Sequence, residues 1–251
     1  MNVLILAGGY GTRLSEFTET IPKPMIKVGK KPIIRHIIEW YSSFGYKNFY
    51  VATGYKSEII NKYFIDISSK VKNDKKKKII NCEIKSKKWN VNLIYTGKNV
   101  MTGGRIKRLK KFLSSEAFFM TYGDGVSNIN LKSLLKLHKK HKKILTLSAV
   151  RPPARFGAIE FKNYLVTRFK EKSQTDEGWI NGGFFIVEPK IFKYIKNDST
   201  YFERGPMEKL SKEKNICAYK HNGFWQCMDT KRDLDILNKI YKSKKEKCLK
   251  I

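Results

Sequence analysis

Residues 3–14 read Val3-Leu4-Ile5-Leu6-Ala7-Gly8-Gly9-Tyr10-Gly11-Thr12-Arg13-Leu14. An apolar run this short, broken at once by glycine, predicts a buried strand. It has no basic flank and is too short for a signal sequence or a membrane span. The carboxyl edge of a sheet is where α/β proteins bind ligands. Glycine lets the backbone take positive φ and come close to an anion, so that successive N–H groups can face phosphate oxygens. Thr12 and Arg13 add side-chain donors. The dinucleotide fingerprint G-x-G-x-x-G would need a glycine at Leu14, and no G-x-x-x-x-G-K-S/T occurs. A dehydrogenase and a P-loop NTPase are therefore disfavoured. Taken alone, such a turn is also compatible with a purely structural role.

Downstream, Pro22-Lys23-Pro24 holds a lysine in a stiff, extended segment, because each proline disfavours helix around it. A surface lysine has no need of this. Rigid placement suits a point charge that must meet a phosphate whose charge changes during reaction.

Further apolar runs at Phe49–Thr53, Phe118–Tyr122 and Ile144–Val150 alternate with helical-period stretches, which predicts an α/β fold with a Rossmann-like, mostly parallel sheet flanked by helices. Pro32 opens a helix whose positions Ile33, Ile34, Ile37, Ile38 and Tyr41 share a face, with Gly45 just past its end. Leu131, Leu134, Leu135 and His138 form a second stripe. The polar stretch from Asp66 to Lys78 reads as a solvated loop before a hairpin near Ile79 to Tyr95, with a polybasic arm as the sharper alternative. Gly157–Phe161, Leu165–Phe169 and Ile180–Val187 make the second half strand-rich. The tail after Leu237 reads as a basic helix that fades out. The chain of 251 residues is expected to form one compact unit.

The formal net charge is +30. Most of the excess is lysine spread along the chain, which fits the solvated faces of a protein from an AT-rich genome, with attraction of anionic substrates as a by-product. A rival of a different class, a nucleic-acid or membrane-surface binding protein, rests mainly on Val71–Lys78, but no RNA-binding fingerprint accompanies it. Cys82, Cys217, Cys227 and Cys248 show neither C-x-x-C pairing nor zinc-finger spacing, so unpaired thiols in a cytoplasmic setting are expected. His36, His138, His141 and His221 form no ligand spacing and read as structural or exposed. Trp89 and Trp225 read as core or pocket wall.

Asp124 lies between Gly123 and Gly125 after an apolar strand, at the same sheet edge as the glycine loop. It is either a turn residue or a metal ligand. Asp229 precedes Thr230-x-x-Asp233, which equally well starts a helix with a capping box. One or two carboxylates are what Mg²⁺ on a nucleotide usually takes from a protein.

The segments GGYGTRL (Gly8–Leu14) and PKPM (Pro22–Met25) together resemble the signature of the sugar nucleotidyltransferases. Met101-Thr102-Gly103-Gly104-Arg105 is similar to the M-T-G-G-R of the glucose-1-phosphate cytidylyltransferases within that family, and RFGA (Arg155–Ala158), INGGFF (Ile180–Phe185) and FWQ (Phe224–Gln226) agree with the same group. The resemblance implies CTP and glucose 1-phosphate as substrates, Mg²⁺ as cofactor, and a homo-oligomer, with a hexamer as one form, that neither binds specific nucleic acid nor inserts into a membrane. It divides the chain into a nucleotide-binding half (about 1–125), a sugar-phosphate half (about 126–235) and the basic tail (236–251). It assigns catalysis to Arg13 and Lys23, and nucleotide contacts to these two and to Leu6, Ala7, Gly8, Gly9, Gly11, Thr12, Thr102, Arg105 and Gly123. Glu171, Lys172, Asn181 and Gly182 fall at sugar-phosphate positions, and Asp124 and Asp229 at metal positions. Arginine only donates, and cytosine offers O2 and N3 as acceptors where uracil and thymine carry an N3–H, so Arg105 is expected to help select CTP. Apart from the resemblance, Arg105 equally fits a cation on a basic helix. Two residues depart from the pattern: Ser173 and Cys227 stand where the family has prolines.

Overall fold

The computed structural model describes residues 1–152, 158–170 and 178–250. Strand β1 (Val3–Ala7) leads through a single 3₁₀ turn into the short helix α1 (Ser15–Thr18), and a tight hairpin of β2 (Lys27–Val28) and β3 (Lys31–Pro32) precedes α2 (Ile33–Ser43). After β4 (Asn48–Thr53) and α3 (Ser57–Asp66) the chain makes a meander of β5 (Lys70–Asp74), β6 (Ile79–Ile84) and β7 (Trp89–Tyr95). Helices α4 (Thr102–Arg108) and α5 (Lys110–Leu113), strands β8 (Phe118–Tyr122) and β9 (Gly125–Ser127), helix α6 (Leu131–His141) and strand β10 (Leu145–Val150) follow. A hairpin of β11 (Ala158–Lys162) and β12 (Leu165–Lys170) then leads to β13 (Ile180–Val187), α7 (Pro206–Lys212), β14 (Ile216–His221), β15 (Trp225–Cys227) and α8 (Lys231–Ser243).

Nine strands form one sheet in the order β14-β10-β13-β8-β1-β4-β7-β6-β5. β1 is central and pairs in parallel with β4 and β8, and the antiparallel β13 and β6 interrupt the parallel run. Because β1 is buried on both faces, its alternating side chains feed two cores. Val3, Ile5 and Ala7 pack with the apolar stripe of α2 and with α6 and α8, whereas Leu4 and Leu6 pack with α4, α5 and α7. This explains why its sequence is continuously apolar instead of alternating.

Three expectations are corrected. Lys23, read as held in an extended segment, opens a 3₁₀ turn (Lys23–Met25) after extended Pro22, closed by Met25 N–H on Pro22 O at 2.8 Å, because proline is tolerated at the start of a helical turn. Lys70–Asp74, read as part of a loop, is the outermost strand of the sheet, paired antiparallel with β6. Its side chains are almost all exposed, so no apolar periodicity betrays it. Lysines on an exposed edge also discourage pairing with other chains. The tail does not fade out either. Beyond α8 a last turn buries Cys248 and Leu249 in the core beside α2, and burial pushes the Cys248 thiol up to about 12.

The start of α4 packs closely on the loop before α7. The backbone of Met101–Gly103 is hydrogen-bonded to the loop before α7: Met101 N–H donates to Asp198 O at 2.9 Å and Gly103 N–H to Thr200 O at 2.9 Å. Arg108 adds a forked pair to the Asp198 carboxylate at 3.0 and 2.6 Å. A Cβ on Gly104 would lie 2.5 Å from both Asp198 Cα and Asp198 O, so backbone, not a yielding side chain, forbids it. The glycines of the T-G-G-R segment thus serve this close approach. Gly104→Ala is expected to lower stability by about 1–3 kcal/mol through overpacking, read as an earlier urea midpoint at unchanged slope; an unchanged midpoint would show that the junction yields.

Candidate active site

At the end of β1 the chain turns at Gly11, whose φ of 68° is left-handed and is the conformation glycine adopts without steric cost. The turn closes with Leu14 N–H on Gly11 O at 2.9 Å. The resulting loop lines a cavity of about 350 Å³ whose wall includes every residue expected to touch nucleotide: Leu6, Ala7, Gly8, Gly9, Gly11, Thr12, Arg13, Lys23, Thr102, Arg105 and Gly123. A larger cavity of about 1070 Å³ lies alongside, lined by Asn181, Gly182, Trp225, Asp229 and Glu203 among others. Arg13, Tyr122 and Asp124 belong to both. Glu171 and Lys172 lie outside the described residues.

The boundary between the cavities is a cluster of charges. Lys23 Nζ donates to Asp124 Oδ2 at 2.7 Å and to Asp229 Oδ1 at 2.5 Å, while Arg13 Nη1 meets the other oxygen of Asp229 at 2.9 Å. Lys23 is only 7% exposed. Burial alone would depress its pKa, but Asp124 and Asp229 outweigh it and hold the ammonium above the ordinary lysine value. For Asp229 burial works toward the neutral acid, and Lys23 with Arg13 reverses this and keeps the carboxylate below its usual range. Lys23 and Asp229 are therefore both charged near neutrality.

Asp124 and Asp229 are far apart in sequence and are brought together by a small ribbon. Strand β15 pairs antiparallel with β9, Cys227 opposite Gly125, and Met228 N–H donates to Asp124 O at 2.9 Å. The capping reading of the Asp229 segment holds, and it does not use the Asp229 side chain. Thr230 caps α8 in a capping box with Asp233, and Asp233 Oδ2 also accepts from the Asp229 and Thr230 N–H groups at 3.1 and 2.9 Å. Because the cap is Thr230 with Asp233, the Asp229 side chain is left to face Lys23. Two hard carboxylates converging on one cation at the edge of the glycine loop have the donor chemistry of a Mg²⁺ site shared with phosphate. No cluster of three or more such ligands occurs among the described residues.

Arg105 differs from expectation. Its guanidinium is 4% exposed, and its terminal nitrogens are committed to protein: Nη1 to Thr96 Oγ1 and Gly97 O at 2.8 Å each and to Thr53 O at 3.3 Å, Nη2 to Gly8 O at 2.8 Å and Lys98 O at 3.2 Å. Burial and the nearby Arg108 lower its pKa. With these N–H groups spent, Arg105 ties the glycine loop to the strand-end loop of residues 96–98 and does not turn those donors toward a base.

The Cys227 thiol is 3.5 Å from Asp229 Oδ2. Burial, then the neighbouring carboxylates, push its pKa up to about 12, so it is neutral and not a nucleophile. Trp89 is core, donating to Ser42 Oγ at 2.7 Å, and Trp225 is pocket wall, its Nε1 on Gly182 O at 2.7 Å. His36, His138 and His221 are buried and hydrogen-bonded, and His141 is exposed. Sequence reasoning missed Tyr122 and Glu203, which share a hydrogen bond of 2.6 Å on the wall of the larger cavity. Neither carries a local signal: Tyr122 ends an apolar strand, and Glu203 lies in an irregular loop.

Residues 2–226 match the family described as Nucleotidyl transferase. The glucose-1-phosphate cytidylyltransferase of Salmonella typhimurium is 42% identical, the match covering 98% of this chain and 97% of that one. A mannose-1-phosphate guanyltransferase of Saccharomyces cerevisiae is 29% identical over 95% of this chain and 63% of its own length. Among solved structures, HddC from Yersinia pseudotuberculosis, complexed with GMP-PN, superposes with a TM-score of 0.71 at 23% identity, covering 96% of this chain and 99% of that one; at that identity the likeness speaks for the fold. The chain belongs to the nucleotidyl transferase family.

Proposed function

We propose that the protein transfers the cytidylyl group of CTP to glucose 1-phosphate, giving CDP-glucose and pyrophosphate. The observation that carries the reading is the convergence of Arg13, Lys23, Asp124 and Asp229 where the glycine-loop cavity meets the larger one. The near-full-length likeness to a glucose-1-phosphate cytidylyltransferase supports this choice of substrates. CTP lies over the glycine loop, and the sugar phosphate occupies the larger cavity.

The second pKa of a phosphate monoester is near 6, so the sugar phosphate is mostly a dianion at neutral pH and needs no general base. Its oxygen attacks the α-phosphorus in line; that P–O bond forms as the bond to the β-phosphate breaks, and pyrophosphate carries away the electron pair. The protein must make two polyanions tolerate one another. Like unit charges 4 Å apart cost about 4 kcal/mol per pair at an effective dielectric near 20. Arg13 and Lys23 offset this repulsion at the boundary between the sites, with Lys172 as the proposed counterpart on the sugar phosphate. Mg²⁺, held by Asp124 and Asp229, supplies further neutralisation of phosphate charge when bound. Arg105 shapes the nucleotide wall through Gly8, Gly97 and Lys98, so it influences the choice of base by fixing backbone. The high positive charge assists the encounter with both anions.

No helix among the described residues is long and apolar enough to cross a membrane. A cytoplasmic setting and a homo-oligomer belong to the same proposal. Phe161, Val166 and Phe169, exposed on one side of the β11–β12 hairpin, support self-association, since an isolated two-stranded hairpin is marginal without cover.

A second reading, another base or sugar phosphate, is kept open by the commitment of the Arg105 donors to backbone and by the guanyltransferase relative. Incubation with glucose 1-phosphate, Mg²⁺ and an equimolar mixture of CTP, UTP, dTTP and GTP, followed by product mass, separates the two; CDP-glucose as the main product is expected, and another nucleotide sugar would replace the reading. Lys23→Ala should retain the fold yet lower kcat/KM by about 10²–10³-fold, as for loss of one electrostatic donor to a transition state, and near-normal pyrophosphate release would remove Lys23 from that role. Asp124→Asn should abolish the Mg²⁺-dependent rate, and a metal dependence like the parent's would refute its assignment. The Lys23 pKa is raised, so the charge is present below about 10.5 and persists above it, whereas the lowered pKa of Asp229 keeps its charge down to acid pH. The rate should therefore rise through about pH 6 with the substrate phosphate and stay level to about pH 9; a second enzyme ionisation within that window would contradict the assignment.

A further inference from the structure

Glu203 stands in the loop before α7 with its carboxylate half-buried on the wall of the larger cavity. It is held from two sides. Tyr122 Oη donates to Oε1 at 2.6 Å, and Thr102 Oγ1 donates to Oε2 at 2.7 Å. Both donors are themselves fixed. Tyr122 ends a central strand with its ring against Gly183, and Thr102 Oγ1 accepts from Phe202 N–H at 2.8 Å. Burial first, then Glu203, raise the Tyr122 pKa well above the ordinary phenol value, so the phenol keeps the proton it donates.

Among the described residues no lysine or arginine forms an ion pair with Glu203, although cations outnumber acids more than two to one, 52 against 22. A partly buried carboxylate without a cation is stabilised by hydrogen-bond donors. A carboxylate has about four lone-pair sites. One site on each oxygen of Glu203 is filled, which leaves one on each, side by side. A phosphate cannot fill them, because it brings the same sign of charge. Neutral hydroxyls can.

The neighbouring wall suits the same kind of ligand. Asn181 Oδ1 accepts from Gly183 N–H at 2.9 Å, which fixes the amide and leaves its nitrogen as a donor on the cavity wall. The Trp225 indole N–H is spent on Gly182 O, leaving the ring as an apolar surface. An acceptor pair, an amide donor and an aromatic face within one cavity match a pyranose, whose hydroxyls both donate and accept and whose ring has an apolar face.

We propose that Glu203 reads the sugar, accepting hydrogen bonds from a vicinal pair of ring hydroxyls of the pyranose 1-phosphate. The inference rests on the larger cavity being the sugar-phosphate site and adds to that reading the residue that recognises the hydroxyls. Since Thr102 also lines the nucleotide cavity, the sugar reader is anchored to the nucleotide wall.

The test measures kcat/KM for glucose 1-phosphate and its 2-, 3-, 4- and 6-deoxy forms with the parent enzyme, Glu203→Gln and Glu203→Ala. The parent should lose about tenfold or more on removal of one ring hydroxyl or of either member of an adjacent pair, as for a hydrogen bond to a charged group. Glu203→Gln should lower kcat/KM for the parent sugar by about tenfold, erase most of that deoxy penalty, and leave the KM for CTP within about twofold. An equal deoxy penalty in the parent and Glu203→Gln overturns the proposal, as does a Gln variant altered only in CTP KM or in urea midpoint, because those mark a tether for the loop. The isosteric Gln variant keeps the test decisive if Glu203→Ala fails to fold. If the parent ignores glucose 1-phosphate but turns over another pyranose 1-phosphate, the substrate reading fails while the deoxy series of that sugar tests Glu203. Turnover with no pyranose 1-phosphate overturns both.

Discussion

The Lys23 ammonium sits almost out of water between the Asp124 and Asp229 carboxylates, and the rest of the site is arranged around this contact. Two acids converging on one point repel each other, and a buried lysine without acids would tend to lose its proton. Each makes the other tenable. The lysine is placed by the 3₁₀ turn Lys23–Met25, which extended Pro22 leads into and Pro24 stiffens, and Asp124 is placed by the end of a central strand. Asp229 arrives from the far end of the chain through the β9–β15 ribbon and is left free because Thr230 and Asp233 take over the helix cap. The same preorganised cluster, opened to a triphosphate, is what metal-assisted phosphoryl transfer requires.

A second constraint keeps the two cavities in one rigid frame. The T-G-G-R segment touches both: its glycines let the Asp198–Thr200 backbone approach, its threonine reaches Glu203, and its arginine ties the glycine loop to residues 96–98. The walls of the two cavities are therefore continuous through a few hydrogen bonds. The buried Arg105 charge is met by carbonyl dipoles and one hydroxyl, and an anionic ligand above the glycine loop adds a counter-charge close by.

Much of the fold was legible because its signals are local. The continuous apolar runs of β1, β4, β8 and β10 mark strands buried on both faces, and the stripe of α2 marks a helix lying on them. What escaped lacked any such pattern. Strand β5 is exposed along its length and is a strand only because β6 offers it hydrogen bonds. The last turn, with Cys248 and Leu249, is too short to show a period, and its burial depends on a groove beside α2 that exists only after folding.

By itself, the sequence determined the chemistry on offer: a glycine loop closing a central strand, a lysine held between prolines, and two aspartates beside turns, each legible because backbone freedom and stiffness are local properties. The tertiary structure decided which of these groups meet. It put Lys23 on both aspartates, let Asp229 and its helix cap coexist, spent the Arg105 donors on carbonyls and one hydroxyl, and set Glu203 in the wall of the larger cavity. These outcomes depend on burial and on contacts between residues distant in sequence, and burial fixes which charges need partners and which donors are already used.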